Sequence, residues 1–143
     1  MKKLLMICLL VSTGAIGQKL ADSLLIGAWR TEEVLKKPSN PHYGTLVDSF
    51  KGATFRLYPD HTFEISTEHN SQDFAALRKM TKGKRWKFDA VTSTIKVGDE
   101  KDNYSTFKLK VKQADGKTVF ATGESFQNIE VSVERHDLPK RGL

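Results

Sequence analysis

Four histidines, His42, His61, His69 and His136, are the side chains of this sequence best suited to hold a metal or carry a proton near neutral pH. None is spaced as His-x-His or His-x-x-x-His, and the single cysteine, Cys8, sits near the N-terminus. All four fall at predicted turns or strand ends, where imidazole is commonly solvated, so neither a metal site nor a cofactor is expected. A hydrolytic centre needs a nucleophile, a base and an orienting partner. Ser125 follows Gly123 and Glu124, which is no nucleophile elbow, while Glu64, Glu68 and Asp73 read as separate surface carboxylates. No catalytic residue is assigned, and the chain is not read as an enzyme.

The densest charge runs through Arg78, Lys79, Lys82, Lys84, Arg85 and Lys87, with Trp86 inside it. Basic residues interleaved with an aromatic ring suit nucleic acid. Strand alternation, however, sends Trp86 and the neighbouring lysines to opposite faces. The stretch therefore reads as a solvated face, with weak association with an anionic envelope surface as its expected partner chemistry and no nucleic acid. Lys108, Lys110 and Lys112 likewise read as the wet side of one strand.

These groups must be placed by whatever the 143 residues fold into. Residues 1–17 are set apart from the fold. Lys2 and Lys3 precede the apolar run Leu4 to Val11, and Ala15-Ile16-Gly17 offers small residues at the −3 and −1 positions. That is the pattern of a secretory signal peptide, too short for the roughly 20 residues of a membrane span. Cleavage after Gly17 removes Cys8, so no disulfide is expected. With Gln18 rather than cysteine at the cut, no lipid anchor is expected either. Export to a periplasm or the exterior follows as the predicted localisation.

From Leu24 onward the pattern is strand after strand. Residues 24–34 open on Leu24-Leu25-Ile26 and then alternate. Residues 35–51 carry Pro38, Pro41 and Gly44 and read as a long loop, with a short extended piece at Thr45 to Asp48. Phe55 and Leu57, then Phe63 and Ile65, alternate on either side of the turn Pro59-Asp60-His61. Residues 72–81 break the pattern: Phe74, Leu77 and Met80 recur at helical spacing, with Ser71 or Asp73 to cap. Trp86 and Phe88, Ile95 and Val97, Phe107 to Val111, Thr118 to Thr122, and Ile129 to Val133 then resume the period of two. One-sided strands joined by short connections are antiparallel with one wet face. Eight of them favour closure, which removes both edges. The predicted fold is all-β: an eight-stranded antiparallel up-and-down β-barrel over residues 22–136, with one short helix between the third and fourth strands. Residues 137–143 are predicted to form a flexible tail.

Ile26-Gly27-Ala28-Trp29, just inside the first strand, matches the Gly-x-Trp signature of lipocalins. Residues 22–136 resemble the small lipocalin-like domains of bacterial secreted proteins. The resemblance implies that Trp29 packs across the closed end of the barrel. It further implies that Arg135, ending the last strand, lies over the indole ring as a cation–π partner. Gly27, Trp29 and Arg135 are thus the expected closure of the barrel.

An eight-stranded barrel is just wide enough to be filled by side chains or to hold one small ligand. Phe55, Leu57, Phe63, Ile65, Trp86, Phe88, Phe107, Leu109, Phe120 and Val131 are the candidate lining of an apolar site for a small hydrophobic or amphipathic molecule. The loop at residues 35–51, with Tyr43, Leu46 and Phe50, is the candidate lid over its mouth. Two alternatives stand beside this carrier. One is a filled barrel that acts as an envelope interaction module through its outer surface; the other is a small lipocalin-type enzyme.

Overall fold

The structure, a computed structural model, describes residues 21–123 and 126–140. The expected signal peptide, Cys8, Ser125 and the end of the predicted tail lie outside the described residues.

Eight strands form one sheet: β1 (Gly27–Lys36), β2 (Ala53–Leu57), β3 (Phe63–Thr67), β4 (Arg85–Asp89), β5 (Thr94–Gly98), β6 (Phe107–Ala114), β7 (Lys117–Thr122) and β8 (Glu130–His136). Their order is β3-β2-β1-β8-β7-β6-β5-β4, antiparallel throughout. The first strand therefore lies beside the last, as an up-and-down barrel requires. Between β3 and β4 closure is nearly complete rather than laddered. Thr62 and Arg85 form an isolated bridge, with Phe63 N–H donating to Lys84 O at 3.1 Å and Trp86 N–H donating to His61 O at 2.7 Å.

Alternation decides which side chains go inside. In β6, Phe107, Leu109 and Val111 are buried while Lys108 and Lys110 are exposed; in β4, Trp86 and Phe88 are buried while Arg85 and Lys87 are exposed. The hairpin joining β6 to β7 turns on Asp115 and Gly116, with φ of 52° and 75°. Two successive positive φ values suit the right-handed twist of the flanking strands, and glycine adopts one of them without strain.

Two helices fill connections at the same end of the barrel. Helix α2 (Gln72–Thr81) stands between β3 and β4, where the sequence places it, and Ser71 Oγ caps it by accepting from Phe74 N–H at 3.2 Å. Its inner face differs from expectation. Phe74, Leu77 and Thr81 are buried, whereas Met80 is exposed. At about 100° per residue, position 80 sits some 120° around the helix from Phe74, while position 81 returns close to it. Helix α1 (Gly44–Lys51) replaces the expected loop and its extended piece at Thr45 to Asp48. Leu46 and Phe50, four residues apart, share one helix face and bury it, whereas a period of two would put the exposed Asp48 on that same face. At the opposite end, residues 21–25 are helical, so Leu24 and Leu25 precede the first strand rather than opening it.

Candidate functional site

The barrel interior is built from alternate positions of all eight strands. Phe55, Leu57, Phe63, Ile65, Trp86, Phe88, Phe107, Leu109, Phe120 and Val131, the predicted lining, all lie inside and are buried. Their rings touch across the lumen. Trp29 meets Phe120 at a centroid distance of 5.5 Å, Phe120 meets Phe55 at 5.4 Å, and Phe55 meets Phe50 at 6.3 Å. Phe50 then stands edge-on to Phe74 at 5.5 Å. This series of rings runs from the β1 side of the closed end to the two helices at the mouth. Offset and edge-to-face contacts of this kind are favourable beyond the area they bury. A second series joins Phe63 to Phe107 at 6.2 Å and Phe107 to Phe126 at 5.1 Å.

Three members of this interior with no exposed surface come from the two helices rather than the strands: Phe50 on α1, and Phe74 and Leu77 on α2. The sequence offers Phe50 as a member of a candidate lid loop; the structure makes it an internal residue. A polar joint holds its helix down. Ser49 Oγ, fully buried, shares hydrogen bonds with Ser71 Oγ at 2.8 Å and with the carbonyl of His69, while Thr67 Oγ1 donates to Ser49 O.

The closed end has its own set of contacts. Trp29 and Arg135 are direct partners across β1 and β8. Trp29 Nε1 donates to Leu25 O at 2.8 Å, its ring packs on Phe120, and Arg135 Nη1 donates to Leu24 O at 3.3 Å. The arginine runs across Gly27, whose φ is +153°. Beside them, His61 stacks on Trp86 at 4.6 Å, and Trp86 Nε1 donates to Tyr58 O at 3.0 Å.

Of the other histidines, His42 packs edge-on to Tyr43, His69 borders an open hollow of about 390 Å³ with Asp48 and Lys51, and His136 borders another. Among the described residues no three His, Cys, Asp or Glu side chains converge as a metal would require. The hollow beside His136, about 470 Å³, lies on the outer face of β1 to β3. Arg30, Arg56 and Glu68 mix charge there, and Arg56 Nη1 donates to Ser66 Oγ at 2.8 Å.

Titration is displaced at the β5–β6 connection. Lys84 Nζ bonds Asp99 at 2.7 Å; this bond holds the Asp99 carboxyl below its ordinary value and raises the lysine. A hydrogen bond from Thr106, then backbone N–H donors, lowers Asp102 as well. Such a cluster ties a loop down; all its members are bonded to one another rather than aimed at a cleft.

Comparison with protein-family models, curated proteins and solved structures finds no match for this chain.

Proposed function

We propose that the protein is an exported, non-catalytic binding module of lipocalin-like form, in which the barrel interior is the core and recognition lies on the outer surface. The observation that carries this is the unbroken contact of Trp29, Phe120, Phe55, Phe50 and Phe74 through the lumen. Side chains so placed already have the packing partners that a ligand would supply. Export is supported by Lys2-Lys3, the apolar run Leu4 to Val11 and the small residues before Gln18.

A second reading keeps a small hydrophobic molecule in the barrel. It is favoured by the fact that Phe50, Phe74 and Leu77 ride on helices rather than on the wall, so an outward swing of α1 would leave a chamber. Titration with a fluorescent fatty acid separates the two. The outer-surface reading expects no saturable binding by wild type and uptake of a small apolar molecule such as benzene only when Phe55→Ala opens a void. Stoichiometric, displaceable binding by wild type would overturn it in favour of the carrier.

A further inference from the structure

The register of three adjacent strands sets Lys87 opposite Lys96 and Lys96 opposite Lys108. Three cationic side chains thus share one lateral row on the outer face, on strands about 4.8 Å apart. Lys110 extends the same face along β6 and is exposed, as is Lys108. Two carboxylates reach the region: Asp89 takes Lys96 at 3.2 Å, and Glu130 takes Lys112 at 2.9 Å. Lys87 lies over the Tyr104 ring at 5.7 Å. Among the described residues, Lys108 and Lys110 have no carboxylate within ion-pair distance.

Like charges directly opposite one another weaken a sheet. Protection of a sheet edge explains lysines on edge strands, but β5 and β6 are interior strands. Asp89 offsets Lys96 and the Tyr104 ring receives Lys87, but the charge of Lys108 and Lys110 is left for an anionic partner to offset. A second feature narrows the partner. The turn between β4 and β5 carries Val91, 92% exposed, just beyond the row. A soluble polyanion has no use for an apolar tip, whereas a bilayer takes apolar groups into its interface and cations among its phosphates. Lysine supplies mobile point charges rather than a planar fork, which suits a shifting array of headgroups.

We propose that the outer face of β4, β5 and β6 docks on an anionic lipid bilayer, with Lys87, Lys96, Lys108 and Lys110 at the phosphates and Val91 at the interface. This names the partner of the outer-surface reading above and rests on it.

The test is co-sedimentation of the full chain with vesicles of phosphatidylglycerol mixed with phosphatidylcholine, against phosphatidylcholine alone. Binding is expected only with the anionic lipid and is expected to weaken with salt. The variant K96Q/K108Q/K110Q should partition about a hundredfold less, at about fivefold per lysine, while melting no lower than wild type. K37Q/K51Q, with its changes on other elements, should bind as wild type does. Val91→Gln should weaken vesicle binding without changing capture by polyglutamate. Equal binding to both vesicle types, binding to neither, or full binding by the triple variant would overturn the proposal. So would a Val91→Gln variant that binds vesicles unchanged, since that outcome assigns the row to a soluble polyanion. A failure here that comes without lumenal uptake of fatty acid removes the lipid and leaves the outer-surface reading in place.

Discussion

Arg135 lies across Gly27 so closely that a Cβ on the glycine would stand 2.9 Å from the arginine Nε and 3.0 Å from its Cγ. The missing side chain is therefore what lets the end of β8 cross the start of β1 and reach the Leu24 carbonyl. With φ at +153°, the same residue also holds a backbone conformation that side chains rarely adopt. The Gly-x-Trp spacing thus has a local meaning: the glycine makes room for the arginine side chain, and Trp29, two residues on, is buried against Phe120.

Gly27→Ala should destabilise the protein by about 2–3 kcal/mol, combining backbone strain with displacement of Arg135. In an Arg135→Ala background the same change should cost about 1 kcal/mol less, because the collision is gone. Urea denaturation of the four proteins measures the coupling; strict additivity would mean that the two residues do not meet.

Trp29→Ala should cost about 3–5 kcal/mol. The indole is buried against Phe120, and its loss strips Leu25 O of its donor. A variant that melts near wild type would remove Trp29 from the closure.

Ser49→Ala should destabilise by about 1–3 kcal/mol, since buried acceptors lose their partner. The effect should be local, with amide exchange accelerated in α1 and little changed in β6 and β7. A uniform acceleration would mean that α1 is not a separable cover.

Acid should loosen the β5–β6 connection. Asp99 and Asp102 titrate below the ordinary 3.8 in the folded chain. Their contribution is therefore present above that value and is lost as pH falls through the lower folded values. Lys84 has the opposite sign: raised above 10.5, its contribution is present below that value and disappears as pH rises through the folded one. Asp99→Asn should flatten both limbs of a plot of Tm against pH. Unchanged limbs would show that the Lys84–Asp99 pair carries no stability.

Much of the barrel was legible because its determinants are local. Phe55 and Leu57 against Phe63 and Ile65 specified a hairpin, and the observed pairs Phe55↔Ile65 and Leu57↔Phe63 are that hairpin. Ser71 and the Phe74–Leu77 spacing specified α2 in the same way. Helix α1 was hidden because Pro38, Pro41 and Gly44 dominate its approach, although Pro41 and Asn40 in fact start a tight turn that leads into it. Leu46 and Phe50 were the available signal. Whether the lumen is filled was not legible at all. It depends on Phe50 and Phe74 reaching in from connections, and alternation says nothing about residues off the strands. The lysine row escaped for a related reason: each lysine alternates correctly on its own strand, and only the pairing of β4, β5 and β6 brings them level.

The junction of β3 and β4 has a consequence for how the molecule comes apart. Around the rest of the cylinder neighbouring strands are stitched by extended ladders, but here the described residues contribute a lone bridge at Thr62 and Arg85. The wall beyond it is sealed by α2 laid against β3 and by side chains. Thermal breathing should begin there, as a zip opens from its loosest tooth, and water should first enter beside Phe63. The remaining seven-step meander can then stay folded as a curled sheet while that slit opens and shuts.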